Sequence, residues 1–148
     1  MHIRPYVLSD KNEIIQLFRL NTPTYFSPDE EVELLNYLKH YSANYFVIED
    51  GSSITGCGGI NISEDGKAGM ISWDIFHPQQ QRKGLGTLLL NYRLQKLKEN
   101  SALEKISVRT SQLVHRFYEK NGFILLETVK DYWAPGFDMY YMEYTGRL

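Results

Sequence analysis

The hydrophobic positions change period several times along the chain, and those changes predict its elements. "HIRPYV" (2–7) alternates and opens as a strand. Ile14, Ile15, Leu17 and Phe18 then fall on one side of a helix that Ser9 or Asp10 can cap. The breaker-rich stretch "NTPTYFSPDEE" (21–31) follows. Ser27 is placed to cap a second helix with Pro28 at its first position, and Leu34, Leu38 and Tyr41 share its apolar side. Residues 44–66 read as two strands about the Asp50-Gly51 turn, and Asp65-Gly66 turns the chain into a third strand, "AGMISWDIF" (68–76). Pro78 stops that strand because it cannot donate to a ladder. A helix from about Leu85 to Glu99 carries Leu85, Leu89, Leu90, Leu94 and Leu97 on one side. "EKISVRT" (104–110) is a strand, "SQLVHRFYEKNG" (111–122) a short helix ended by Asn121-Gly122, and two strands close the chain around Pro135-Gly136. The order β-α-α-β-β-β-α-β-α-β-β is an α/β (α+β) chain, with a mixed sheet and helices against its faces.

Length changes this picture little: 148 residues suit one domain spanning 1–148. Net charge is −2, which excludes a strong nucleic-acid field. The single cysteine, Cys57, excludes an intrachain disulfide and fits a reducing compartment. It lies in the apolar stretch "TGCGGI", where a core role outweighs a nucleophilic one. No stretch reaches about 18 consecutive apolar residues and the N-terminus has no apolar signal core, so the expectation is a cytoplasmic protein without a membrane partner.

The chemistry concentrates in "HPQQQRKGLGTLLL" (77–90), between a strand and a helix start. There the first N–H groups of the helix lack intrahelical partners and the dipole presents partial positive charge. Gly84 and Gly86 bring no Cβ to hold an anion away, Arg82 and Lys83 add cations, and Thr87 adds a hydroxyl. A glycine turn beside a solvated charge run would show the same residues. A dinucleotide fingerprint would need a third glycine where Leu89 stands, and the nucleotide P-loop pattern is absent.

About thirty residues later comes "RFYEKNGF" (116–123). The paired motifs, Gln81-x-x-Gly84-x-Gly86 and Tyr118-Glu119-Lys120-x-Gly122-Phe123, resemble the GNAT superfamily of N-acetyltransferases. With "IRPYVLSD" and "MISWDIF", the resemblance extends over nearly the whole chain. It implies a central, mostly antiparallel sheet splayed at the cofactor strand, with helices on both faces. It also implies acetyl-coenzyme A as co-substrate, no metal, and transfer of the acetyl group to a primary amine of a small molecule or peptide. By position, backbone groups of Arg82, Lys83, Gly84, Leu85, Gly86 and Thr87 would cradle the pyrophosphate, with Gln81 opening the motif. Asp74, Ile75 and Phe76 would pair with the pantetheine arm, and Tyr118 would protonate the departing thiolate.

Where relatives carry an asparagine that touches the pantetheine arm, this chain offers Ser111 or Gln112, and Ser111 also suits a plain N-cap. Asp74 is the one acid in "MISWDIF" and is the candidate base, with a strand-edge hydrogen bond as its alternative use. Tyr25, Phe26, Tyr132, Trp133 and Asp138 are the substrate-pocket candidates, because the first helices and last strands wall the acceptor site in the resembled family. Glu30 and Glu31 suit the start of the second helix and could also attract a cationic amine. His77 reads as a turn residue and His115 as a packed one. A non-catalytic acyl-CoA-binding module would keep the same phosphate loop and is the alternative function. The tyrosine-rich last strands could pair between chains as a homodimer or lie in the interior.

Overall fold

A computed structural model describes residues 1–81 and 83–148. Among the described residues the chain forms one seven-stranded sheet in the order β1-β2-β3-β4-β5-β7-β6. Strands β1 (His2–Pro5), β2 (Tyr45–Asp50), β3 (Ser53–Ile62) and β4 (Ala68–Phe76) make an antiparallel meander. Gly51 and Gly66 turn two of its corners at φ +64° and +75°. Helix α3 (Leu85–Lys98) then crosses over to β5 (Lys105–Thr110), which lies parallel to β4. Helix α4 (His115–Lys120) leads into the hairpin of β6 (Phe123–Ala134) and β7 (Phe137–Tyr144). Strand β7 returns between β5 and β6, antiparallel to both.

Both faces are covered. Helices α1 (Lys11–Leu20) and α2 (Glu31–His40) bury Ile14, Phe18, Leu34 and Leu38 against Tyr45, Val47, Cys57 and Ile75. Helices α3 and α4 bury Leu89, Leu90, Leu97 and Tyr118 against Phe46, Ile48, Ile106 and Met142. This explains why "YFVI" (45–48) is a continuous apolar run: alternate residues feed opposite cores. Each such side chain, fully buried, contributes roughly 1.5–3 kcal/mol.

The local signals fail at three places. Tyr41 does not join the apolar side of α2; it is 56% exposed, and Tyr37 takes the buried place. The helix ends at His40, so the backbone of Tyr41 (φ −130°) has left the helical spiral. Asp10 does not cap α1 through its side chain. Its carboxylate accepts from Val7 N at 2.9 Å and from the Arg4 guanidinium at 2.8 and 2.9 Å, because a 3-10 turn over Leu8–Asp10 precedes the helix. The helix expected from 111 begins only at His115; Ser111 Oγ instead accepts from Leu113 N (3.2 Å) and caps the turn before it. Ser27 does cap as a hydroxyl acceptor, but of the 3-10 turn Pro28–Glu30 that leads into α2: it accepts from Asp29 N while the Glu30 carboxylate accepts from Ser27 N at 2.8 Å.

Candidate active site at the splay between β4 and β5

Strands β4 and β5 pair only from Ala68↔Lys105 to Ile71↔Val108. On its other side, β4 carries a bulge: Ser72 pairs with Gly59 and Ile75 with Cys57, so Gly58 alone faces Trp73 and Asp74. Trp73 absorbs the extra residue at φ +51°, a left-handed conformation that costs a non-glycine residue about 1–2 kcal/mol. The Tyr45 hydroxyl holds this kink by donating to Trp73 O at 2.7 Å. The bulge also changes which face each side chain meets. Ile71 lies in the core under α3, whereas Ile75 lies in the core under α1 and α2. Beyond Ile71 the two strands separate and leave a cleft of about 740 Å³.

Three side chains interlock on the α3/α4 side of this cleft. Arg93, on α3 four residues after Leu89, is fully buried. Its guanidinium donates to both carboxylate oxygens of Asp74, at 2.5 and 2.9 Å, and also to Gly59 O at 3.2 Å and Leu89 O at 3.3 Å. The Tyr118 hydroxyl, on α4, donates to Asp74 Oδ2 at 2.6 Å. A Cβ on Gly58 would collide with both the Asp74 carboxylate and the Arg93 guanidinium, so glycine makes room for the pair. Burial, and then the Asp74 charge, push the Tyr118 phenol well above its usual range, so it stays protonated.

The glycine loop lies at one end of the cleft. Gly84 is the N-cap of α3 at φ +80°, and the space where its Cβ would project is empty for 4 Å. A Cβ on Gly86 would lie 3.0 Å from the Phe117 ring, so this glycine also lets α3 approach α4. Gln81, Gly84, Leu85, Gly86 and Thr87 line the cleft. Gln81 donates to Asn21 Oδ1 (3.3 Å), and Asn21 Nδ2 donates to Phe76 O and Leu17 O, both at 2.9 Å. Lys83 is exposed and off the cleft wall, and Arg82 lies outside the described residues.

An aromatic wall lines the same cleft. Tyr25, Phe26, Tyr37, Trp73 and Trp133 line it together with Glu30. Phe26 stacks on Trp73 with centroids 5.9 Å apart and planes at 24°. Trp133 Nε1 donates to Thr110 O at 3.1 Å. Ile75, Phe76, Ser111, Asp74 and Tyr118 also line the cleft. Tyr132 and Asp138 do not. Tyr132 lies in the break of register between Val129 and Ala134, beside Asp131 at φ +53°, and is 53% exposed, while Asp138 Oδ1 accepts from Asp131 N (2.9 Å) and ties the end of the hairpin. Gln112 serves the same hairpin through Gly136 O and Asp138 N, which leaves Ser111 as the cleft residue of that pair.

Cys57 is fully buried, and burial pushes its thiol up to about 12, so it is not a thiolate at neutral pH. Among the described residues no cluster of three His, Cys, Asp or Glu side chains could hold a metal ion, and no helix is long and apolar enough to cross a membrane. Sequence reasoning did not find Arg93, Tyr37 or Asn21. Arg93 sits in a leucine-rich helix face as a lone polar residue, and that interruption of the stripe was the available signal.

Comparison with known proteins agrees with this geometry. The model of the acetyltransferase (GNAT) family matches residues 11–123. An N-alpha-acetyltransferase of Sulfurisphaera tokodaii is 30% identical, over 95% of this chain and 90% of its own. Two solved structures share the fold at lower identity. Ard1 from Thermoplasma volcanium has a TM-score of 0.80 at 16% identity, covering 96% of this chain and 95% of its own. An aminoglycoside 6'-N-acetyltransferase complexed with coenzyme A has a TM-score of 0.79 at 14% identity, covering 100% and 99%.

Proposed function

Since the chain belongs to the GNAT family of acetyltransferases, we propose that it transfers an acetyl group from acetyl-coenzyme A directly to a primary amine of a small molecule or peptide. The observation that carries this reading is the continuity of one cleft. It runs from the open N-terminus of α3, past the unpaired stretch of β4 and the Tyr118 hydroxyl, to the aromatic wall. The residues fit the co-substrate: an N-terminus whose N-cap glycine has empty space beside it suits a pyrophosphate, and a strand edge without a partner suits an amide-bearing arm.

In this reading Gly84, Leu85, Gly86 and Thr87 hold the phosphates, and Lys83 contributes charge from outside the cleft wall. Ile75 and Phe76 offer backbone to the arm, with Ser111 beside it. The free amine nitrogen attacks the thioester carbon, the C–S bond breaks, the sulfur leaves as a thiolate that takes a proton from Tyr118, and the proton shed by the new amide nitrogen returns through solvent water to the Tyr118 oxygen. Burial keeps that phenol protonated until the thiolate forms, and the raised pKa makes the transfer depend on a concerted step. Asp74 has three donors on its two oxygens and lies on the α3/α4 side, so we assign it to orienting Tyr118 and not to deprotonating the amine. Tyr25, Phe26 and Trp133 flank the acceptor.

The test is thiol release from acetyl-coenzyme A with amino acids, polyamines, aminoglycosides and peptides with a free α-amine. Acetylated product with at least one class is the expected result. Coenzyme A binding without turnover on any acceptor would make the protein an acyl-CoA-binding module instead.

A further inference from the structure

Among the described residues three cations line the cleft: Arg109, Arg116 and Lys120. Arg116 and Lys120 stand on α4, which comes close to the glycine loop where Phe117 faces Gly86, so they suit the phosphates of the co-substrate. Arg109 is on the wrong side for that. Ile106 and Val108 sit in the core under α3, so the alternation of β5 turns Ser107 and Arg109 to the opposite face of the sheet, the one on which α1 and α2 pack. The last pairing of β4 with β5 is Ile71↔Val108, which makes Arg109 the first residue of β5 at the splay.

This arginine is also unmatched. Arg4, Arg19 and Arg93 each hold a carboxylate, whereas no acid lies within salt-bridge distance of Arg109 among the described residues. Two acids share its face in register, and neither pairs with it. Glu143 accepts from the Tyr141 hydroxyl at 2.7 Å and lies 3.9 Å from Lys105, while Glu127 stands one strand further off, opposite Tyr141. What holds Arg109 is a ring: its guanidinium lies over Tyr141, 5.6 Å from the centroid. Stacking occupies the flat face of a guanidinium and leaves its N–H edge free, and the bond from the Tyr141 hydroxyl to Glu143 anchors the ring. A stacked N–H fork on a cleft wall, with no protein carboxylate, is a ready receptor for a planar anion.

A second hollow of about 620 Å³ continues along β4 and β5 towards the Asp65-Gly66 turn. Met70, Ser107 and Arg109 line both hollows, and Arg109 is the one charged residue among those described that does so. The far hollow holds Glu64, Asp65 and Glu104 as well as Lys67 and Lys105, so it gives an anion no net attraction of its own. The preference resides in Arg109, where the two hollows meet.

We propose that Arg109 is the receptor for a carboxylate carried by the acceptor, so that the preferred amine belongs to a molecule with an acidic group beyond it. This rests on the acetyltransferase reading and narrows its substrate class. The α-carboxylate of a free amino acid and an acidic side chain beside the N-terminus of a peptide would supply the same anion.

Matched pairs test the proposal and separate those two sources. Phenylalanine is compared with phenylalaninol, which keeps the amine and replaces the carboxylate by a hydroxymethyl group. Tetrapeptide amides with a free N-terminus are compared with glutamate or glutamine as second residue. Each is added to the protein saturated with coenzyme A, and the shift in thermal midpoint gives its affinity without requiring turnover. In at least one pair the acidic member should bind about tenfold tighter, the low end for charge-assisted hydrogen bonds because the site is open to solvent and salt. Arg109→Gln should bring that pair to equal affinity, and Arg109→Glu should reverse the preference. Because Arg109 is exposed and unpaired, coenzyme A affinity and the unliganded midpoint should hardly move in either variant. In turnover assays Arg109→Gln should raise KM for the acidic acceptor far more than it changes kcat. No acidic member binding tighter than its neutral partner, or a preference that persists in Arg109→Gln, overturns the proposal while leaving acetyl transfer intact. An Arg109-dependent preference without acetylated product would instead fail the acetyltransferase reading and keep Arg109 as the receptor.

Discussion

Replacing Asp74 with asparagine leaves a guanidinium with no counter-ion in the interior, which makes the Arg93–Asp74 pair a quantitative test of how the site is built. The Arg93 side chain has no solvent exposure and that of Asp74 only 11%. Two carbonyl acceptors, Gly59 O and Leu89 O, would remain for the cation. Removing one partner of a buried pair costs about 3–5 kcal/mol. With 148 residues the unfolding entropy is about 0.3 kcal/mol/K, so the thermal midpoint should drop by roughly 10–16 °C. Urea unfolding followed by circular dichroism measures the free-energy loss, and a thermal melt the shift in midpoint. The double variant Asp74→Val with Arg93→Met replaces the pair with apolar groups and should recover at least about 2 kcal/mol relative to Asp74→Asn, because no charge is then stranded. If Asp74→Asn unfolds within about 1 kcal/mol of the parent, the pair is hydrated in solution and the argument that it braces Tyr118 falls with it.

Tyr118→Phe keeps the ring packing but removes the proton held against Asp74; turnover should fall at least about tenfold with coenzyme A affinity little changed, read by thiol release and calorimetry. Gly84→Ala places a side chain at φ +80° and should cost about 1–2 kcal/mol of stability, while Gly86→Val should press on Phe117 and weaken coenzyme A binding; thermal melts with and without coenzyme A separate the two. The Arg4 guanidinium holds the Asp10 carboxyl below its usual range, so its stabilisation is present above about pH 4 and is lost as pH falls through the folded value; Asp10→Asn should be less stable at pH 7 and lose part of the acid limb in urea titrations at stepped pH. Glu30 has the opposite sign: its pKa is raised from 4.5, so its ionisation opposes folding as pH climbs above that value, and Glu30→Gln should be more stable at pH 7 with a flatter profile over that rise.

The element order, the leucine face of α3, the Ser27 cap and the glycine loop before α3 are all local patterns, set by periodicity, capping chemistry and the absence of Cβ atoms. They were legible because each depends on residues a few positions apart. Together with the Tyr118 motif they also carried the family resemblance. Other features depend on residues far apart in the chain. The bulge at Trp73 is defined by its register against Gly58, and it sends Asp74 to one face of the sheet and Trp73 to the other. Period-2 reasoning assumes an uninterrupted strand and so could not place them. Arg93 meets Asp74 across 19 residues and Tyr118 meets it across 44, which is why the sequence left Asp74 open between a base and a hydrogen-bonded acid and only the fold shows it encircled. Tyr132 and Trp133 are adjacent aromatics in the stretch where the β6–β7 register breaks, and only Trp133 reaches the cleft. Glu30 and Glu31 are adjacent acids separated by burial and by Arg19. Local pattern alone assigned the elements and drew attention to the glycine loop and the Tyr118 motif. Tertiary structure settled which charges are already neutralised, because neutralisation is a property of distances between elements that no local pattern encodes.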